Sequence, residues 1–154
     1  MKIFVDADAC PVKEEVYRVA KRYGLKVVLV SNSWMRVPDS SWLQLTVVDK
    51  GPDVADDWIT DQVTCDDIVI TGDIPLASRC LKQGAMALGN TGRPFTPDNI
   101  GDVLSLRDLL HELREQGMIT GGPAPFSKKD RSRFLQELDK MIVQVHRRNG
   151  INLN

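Results

Sequence analysis

The sequence predicts a single α/β domain with a mainly parallel sheet and helices on both of its faces, an arrangement of three layers. Over residues 2–88, short apolar runs alternate with amphipathic segments, and the links between them are short. The runs are continuously apolar, as is typical of parallel strands that are buried on both sides. A length of 154 residues also favours one domain.

Each element follows from its local pattern. Five strands are predicted from the apolar runs, at residues 2–5, 26–30, 45–48, 68–70 and 85–88. Helices are predicted between them from apolar residues at helical spacing, at about residues 12–23, 53–63 and 76–83. Gly24 ends the first of these helices, and Gly51-Pro52 precedes the second.

Residues 99–148 predict a helical C-terminal extension packed on this domain. An amphipathic helix is expected from about residue 100 to Gly117, and a loop rich in glycine and proline follows. A closing helix is predicted because apolar residues recur on one face, at Phe134, Leu138, Met141, Ile142 and Val145. We therefore interpret residues 1–154 as one domain that includes this extension.

Charge, cysteines and the chain start limit the function classes. The net charge is -1 and the pI is about 6.1, so no overall positive field attracts nucleic acid, and such binding would need a local patch or a metal bridge. Three cysteines without metal-type spacing indicate reduced thiols, and Cys10 beside a predicted helix start is expected to have a lowered pKa. Without a signal peptide or an apolar run of about 20 residues, we expect a cytoplasmic protein with no membrane partner.

Carboxylates follow three of the predicted strands. Asp6 and Asp8 come directly after the first strand, Asp53 and Asp56 lie around the start of the helix after the third, and Asp73 follows the fourth. Because the carboxyl ends of parallel strands lie at one edge of a sheet, these acids are expected to converge in one cleft. Converging carboxylates repel each other, and a divalent cation such as Mg²⁺ or Mn²⁺ would relieve that repulsion.

Several aspartates also allow a structural interpretation. Asp53 and Asp73 each precede a helix and could cap it. Asp57 is expected to project away from the edge and to favour only the helix dipole. Asp66 and Asp67 precede the fourth strand, so they are expected at the opposite edge and exposed to solvent.

Basic residues near the C-terminus are candidates for substrate binding. Lys128, Lys129 and Arg131 lie at the start of the closing helix, where a solvated helix face is the simpler interpretation. Beside an acidic metal site they could hold the phosphates of a nucleic-acid backbone. Arg93 is a further candidate because its loop follows the fifth strand, near the same edge.

The three tryptophans allow two interpretations. Trp34, Trp42 and Trp58 could each stack on a nucleic-acid base. Packing in the core or on the surface is the more common use of this residue. The sequence alone does not separate these uses.

Four segments together resemble the YaiI/YqxD family of small bacterial proteins. They are residues 5–13, 51–56, 71–77 and 122–126, and the resemblance covers nearly the whole chain. The family in turn resembles the PIN-like, or NYN-type, nucleases. That resemblance depends on an aspartate after the first strand, acids on a middle helix and a Thr-x-Asp-x-x-Leu-Ala string.

The resemblance implies a metal-dependent nuclease that hydrolyses a phosphodiester in RNA with the help of Mg²⁺ or Mn²⁺. Asp6, Asp56 and Asp73 would be the catalytic acids that bind the metal, with Asp8 and Asp53 assisting. PIN-like nucleases carry one more acid shortly after the Thr-x-Asp position, whereas residues 74–78 contain none here. Asp8 could take its place in space.

Two other functions stay open. A haloacid-dehalogenase-like phosphatase would use Asp6 as nucleophile and Asp8 as acid, and Ser31 and Asp73 fall where its later motifs would be. Cys10 and the lack of a second acid after Asp73 argue against it. Alternatively, the fold could keep its acids and serve as an RNA- or protein-binding module without catalysis.

Overall fold

The computed structural model describes residues 1–122 and 124–150, so Pro123, in one of the four resembling segments, and residues 151–154 lie outside the described part. Six strands are present, namely β1 (Lys2–Asp6), β2 (Lys26–Ser31), β3 (Leu43–Val47), β4 (Ile68–Ile70), β5 (Met86–Leu88) and β6 (Pro94–Phe95). Five helices are described, namely α1 (Lys13–Tyr23), α2 (Val54–Gln62), α3 (Ile74–Lys82), α4 (Ile100–Glu115) and α5 (Lys128–Arg148).

The strands form one mainly parallel sheet in the order β3-β2-β1-β4-β5-β6. The predicted α/β class and its parallel sheet are confirmed, but the sheet has six strands where five were expected. The additional strand, β6, pairs antiparallel with β5 through only two residues, Pro94 and Phe95. It was missed because it is too short to show a pattern and begins with proline, which sheets tolerate at an edge.

The apolar runs supply two clusters of buried side chains, because successive residues of a strand point to opposite sides. Ile3 and Val5 of β1 pack in one cluster with residues of α1 and α5. Phe4, between them, packs in the other cluster with residues of α2 and α3. The face of α5 that the sequence predicts is buried, at Phe134, Leu138, Met141, Ile142 and Val145.

Strand β1 lies at the point where the connections change direction. The chain runs from β1 outward to β2 and β3 on one side, and β4 and β5 continue on the other. A parallel sheet with this change of direction opens a crevice at the carboxyl ends of its central strands. No helix in the described ranges 1–122 and 124–150 is both long and apolar enough to cross a membrane.

Candidate functional site: an acidic cleft at the strand ends

A cleft of about 520 Å³ lies at the carboxyl ends of the parallel strands. Its walls come from the segments that follow β1, β2 and β4, from Asn90 after β5 and from the start of α2. The lining includes all five aspartates that the sequence proposes as metal ligands, Asp6, Asp8, Asp53, Asp56 and Asp73. Acids that are distant in the chain therefore face one space.

Asp6 ends β1 and is fixed by a neighbouring strand. Its Oδ2 accepts a hydrogen bond of 2.9 Å from the hydroxyl of Thr71, which directly follows β4. Burial raises the pKa of the Asp6 carboxyl, and the charges of Asp73 and Asp8 raise it further, while the bond from Thr71 opposes the shift. Asp6 is therefore held in place at a cost in electrostatic energy.

Asp56 projects into the cleft from the first turn of α2. Burial raises its pKa from 3.8 to about 6, and repulsion from Asp73, Asp6 and Asp53 adds to the shift. Arg79 opposes it, but the guanidinium of Arg79 is engaged by Asp57 at 2.8 Å. Asp57 thus projects away from the cleft, as the sequence predicts.

Asp73 caps a helix, one of the two roles that the sequence left open, and it also lines the cleft. Its Oδ1 accepts a hydrogen bond of 3.0 Å from the backbone N–H of Leu76 and so caps α3. Its own N–H donates to the hydroxyl of Thr71 at 2.9 Å. Thr71 is fully buried and links Asp6 to Asp73. The sequence pointed to Thr71 only as part of the Thr-x-Asp string.

Asp8 connects two strand ends. It lies in a short 3-10 turn, Ala7–Ala9, after β1. Its Oδ1 lies 2.6 Å from the donating hydroxyl of Ser31, and its Oδ2 accepts from the N–H of Asn32 at 2.9 Å. Asp8 therefore fastens the end of β2 to the turn after β1, on the cleft wall.

The backbone of Asp53 lies in the left-handed region, with φ of 64°. Apart from glycines, it is the only residue with a positive φ in the described part of the chain. Its side chain makes no capping hydrogen bond to α2, so the capping interpretation of Asp53 was wrong. A left-handed aspartate is uncommon and costs conformational energy, and such residues cluster at functional sites.

Two other expectations from the sequence were wrong. Asp67 was expected in solvent but is buried, because its carboxylate accepts from the backbone N–H groups of Lys2 and Thr64, at 2.8 and 2.9 Å. The pKa of Cys10 was expected to be lowered, but burial of its thiol raises the pKa to about 11. The hydrogen bond from the backbone of Val12 and the charge of Lys13 lower it by a smaller amount.

The basic candidates divide into engaged and exposed residues. Arg131 donates to Oε1 of Glu15 at 2.6 Å, and Glu15 is almost fully buried in α1. Its guanidinium also lies over the ring of Phe126, 5.5 Å from the centroid. Arg131 thereby attaches α5 to α1. Lys128 and Lys129, in the first turn of α5, are exposed.

Arg93 is exposed in the loop between β5 and β6, and this loop packs on α5. A Cβ at Gly92 would lie 2.6 Å from the backbone N of Phe134, so only glycine fits between loop and helix. Asn90, two residues earlier, lines the cleft. The loop therefore runs from the cleft lining at Asn90 to a close contact with α5 at Gly92, and Arg93 follows directly.

Asn32 and Asn90 line the cleft and were not among the predicted residues. Asn90 Nδ2 lies 3.5 Å from the carbonyl oxygen of Ala9, and its buried Oδ1 has no hydrogen-bond partner within the described residues. Both follow parallel strands directly or closely. Side chains that follow parallel strands meet at one edge of the sheet, and this rule applies to amides as well as to carboxylates. It would therefore have identified both asparagines.

The donor atoms of the cleft decide which metal ions would suit it. Within the described ranges, no group of three or more His, Cys, Asp or Glu side chains is arranged to hold one ion directly. Mg²⁺ keeps several of its waters and commonly uses one or two carboxylates of the protein. Carboxylate oxygens are the donors that Mg²⁺ and Mn²⁺ accept, so the chemistry of the cleft lining fits such an ion.

Comparison with known proteins identifies the family. Residues 4–144 match the family model described as "Uncharacterized BCR, YaiI/YqxD family". A UPF0178 protein of Caulobacter sp. (strain K31) is 56% identical over 94% of this chain and 96% of its own. UPF0178 proteins of Parvibaculum lavamentivorans and Rhodopseudomonas palustris (strain TIE-1) are 56% and 52% identical, each over 96% of this chain and over 97% and 93% of their own. No solved structure matches significantly. The chain belongs to the YaiI/YqxD family.

Proposed function

We propose that this protein is a metal-dependent nuclease that hydrolyses phosphodiester bonds in RNA, and that its domain has the three-layer arrangement of the PIN-like nucleases. The observation that carries the proposal is the grouping of Asp6, Asp56 and Asp73 around one cleft, where burial and mutual repulsion raise the pKa of Asp56 to about 6. Such repulsion destabilises the folded state, and a bound cation would offset it. The two separate clusters on β1 support the three layers.

The residues of the chain would prepare the cleft for Mg²⁺ or Mn²⁺. The Thr71 hydroxyl orients Asp6, and the N–H of Leu76 orients Asp73, so both carboxylates are fixed before the ion arrives. Asp8 and Asp53 line the same cleft and would assist in holding the ion. When bound, the ion would polarise the phosphodiester and promote attack by water.

The substrate class is proposed from exposed basic residues on the loop after β5 and on α5. Arg93, Lys128 and Lys129 are exposed; Arg93 lies three residues after Asn90 of the cleft lining, and the two lysines lie on α5, against which Gly92 packs. Because the net charge of the chain is -1, binding of a polyanion would need such a local patch or a metal bridge. These exposed basic residues favour a phosphate backbone as the ligand.

A phosphatase of the haloacid-dehalogenase type is less well supported. Asp8 would have to donate a proton to the leaving group in that mechanism. Both of its carboxylate oxygens already accept hydrogen bonds, from Ser31 and Asn32. Asp8 therefore joins two strand ends. This structural role is compatible with a metal site in the same cleft.

The test combines cleavage and metal binding. We expect the wild type to cleave members of a panel of RNA and DNA oligonucleotides with Mg²⁺ or Mn²⁺, and to be inactive with EDTA. Asp6→Asn and Asp73→Asn should reduce cleavage by about 100-fold or more. Asparagine is also a good N-cap, so Asp73→Asn keeps the start of α3 intact.

Asp57→Asn is the matched control, because Asp57 is the neighbour of Asp56 but pairs with Arg79 outside the cleft. It should cleave like the wild type. Calorimetry that detects no binding of Mg²⁺ or Mn²⁺ in the millimolar range would overturn the nuclease proposal. Metal binding without cleavage would favour the binding module, and trapping of beryllium fluoride on Asp6 would favour the phosphatase.

A further inference from the structure

The segment between β2 and β3 begins on the wall of the acidic cleft. Asn32 lines the cleft, and its backbone N–H donates to Asp8. Ser33 is held next to it, because its N–H donates to the hydroxyl of Ser31 at 3.2 Å. Two residues of chain span at most about 7 Å, so Trp34 begins within that distance of Asn32. The start of the segment is thus fixed beside the cleft.

Burial alternates along the next residues of the segment. Met35 and Val37 pack against the core and anchor the segment. Trp34 and Arg36 are exposed, and Trp34 retains 75% of its accessible surface. Alternation with a period of two puts Trp34 and Arg36 on the same side of the chain. An aromatic plane and a guanidinium are therefore displayed together on an anchored segment.

The other two tryptophans are used for packing. Trp42 lies edge-on to Tyr17, and Trp58 lies against Phe4, with centroids 6.3 Å apart in each pair. Single exposed apolar residues are common and carry little information by themselves. Trp34 differs in its position, since it adjoins both an exposed cation and a cleft suited to phosphodiester chemistry.

We propose that Trp34 stacks on an unpaired base of a single-stranded nucleic acid whose backbone crosses the acidic cleft, and that Arg36 contacts a phosphate of the same strand. This inference rests on the proposed function and specifies its substrate class. Aromatic side chains stack on bases of any sequence, but bases inside a duplex are already stacked on each other. From Trp34, which follows β2, the strand would continue across the cleft towards Arg93, which follows β5 on the other side of β1.

The experiment measures binding of a labelled single-stranded RNA and of a duplex of equal length, with Ca²⁺ in place of Mg²⁺ to slow hydrolysis. We expect the wild type to prefer the single strand. Trp34→Ala should weaken that binding by about tenfold and leave the weaker duplex binding unchanged. Trp34→Phe should keep most of the affinity, because it retains an aromatic face.

Two further readouts separate stacking from an effect on folding. The single strand should quench the intrinsic fluorescence of the wild type, and Trp34→Phe should remove that quenching although Trp42 and Trp58 remain. Val47→Ala, which shortens another half-exposed apolar side chain, is the control and should bind like the wild type. The thermal midpoint of Trp34→Ala should equal that of the wild type.

The two proposals fail in different ways. If the wild type binds the single strand and Trp34→Ala binds it equally well, the inference about Trp34 is overturned and the nuclease proposal stands. Equal affinity of the wild type for duplex and single strand overturns the inference as well. A wild type that neither binds nor cleaves any oligonucleotide overturns both, and the exposed face of Trp34 would then belong to a protein partner.

Discussion

The hydroxyl of Thr71 lies 2.9 Å from Oδ2 of Asp6 and donates a hydrogen bond to it, across the two strands where the sheet connections change direction. The same hydroxyl accepts from the N–H of Asp73 at 2.9 Å. One buried side chain therefore sets the positions of two acids of the cleft.

Thr71→Val tests this link, because valine keeps the shape and removes the hydroxyl. The half-buried N–H of Asp73 would lose its partner, and we expect the free energy of unfolding to fall by about 1–2 kcal/mol. Affinity for Mg²⁺ should fall by about 10- to 100-fold. Urea denaturation and calorimetry measure the two effects. Thr71→Ser, which keeps the hydroxyl, should restore most of both, and equal losses in Thr71→Ser would contradict the link.

The stability of the metal-free protein should depend on the charge of Asp56. Its pKa is about 6 in the folded state and 3.8 when unperturbed, so the folded state binds more protons between these values. The free energy of unfolding contributed by Asp56 therefore falls as the pH rises from about 4 to 6, and stays low above that range.

Asp56→Asn should consequently be more stable than the wild type at pH 7.5 in EDTA, by on the order of 1 kcal/mol after allowance for solvent screening. This advantage should vanish near pH 4 and shrink when Mg²⁺ is added. Thermal unfolding from pH 4 to 8 measures it, with Asp57→Asn as control. A difference between Asp56→Asn and wild type that does not change with pH would contradict the assignment.

The pair of Glu15 and Arg131 should matter for stability and not for substrate binding. Arg131→Ala would leave the nearly buried carboxylate of Glu15 without its partner, and we expect a loss of about 2–4 kcal/mol. Adding Glu15→Gln should recover part of that loss. Lys129→Ala should leave the denaturation midpoint unchanged but weaken RNA binding. If Arg131→Ala weakens RNA binding without destabilising the protein, the role of Arg131 is in substrate binding.

Gly92 should be essential for the contact between the β5–β6 loop and α5. Its φ of 86° and the 2.6 Å approach to the backbone of Phe134 leave no room for a methyl group. Gly92→Ala should destabilise the protein by more than about 2 kcal/mol. Gly101→Ala is the control, because Gly101 lies in α4 with open space around its Cα, and it should be neutral or stabilising. Similar midpoints for the two variants would contradict this packing.

The sequence predicted those features that depend on regular geometry. Continuous apolar runs indicated parallel strands, and the common direction of these strands placed Asp6, Asp56 and Asp73 at one edge of the sheet. The family followed from four ordered segments. These inferences need only the period of a strand and the order of the elements.

Features that depend on distant partners could not be predicted. Asp67 is buried because the N–H of Lys2, 65 positions away, donates to it, and Arg131 is engaged because Glu15 is buried in α1. The pKa of Cys10 depends on desolvation, whereas its position beside a helix start suggested the opposite shift. Trp34 could be distinguished from Trp42 and Trp58 only by exposure.

The packing of α5 also has a consequence for unfinished chains. Every acid of the cleft precedes α5 in the sequence, but Phe134, Leu138 and Ile142 of α5 complete the core against α1 and β1. Each such side chain stabilises a domain by about 1.5–3 kcal/mol, and a whole domain has a margin of only about 5–15 kcal/mol. A nascent chain that lacks α5 is thus expected to remain unfolded. If the protein cuts RNA as proposed, its nascent chain would not cleave ribosomal RNA or its own messenger RNA during synthesis.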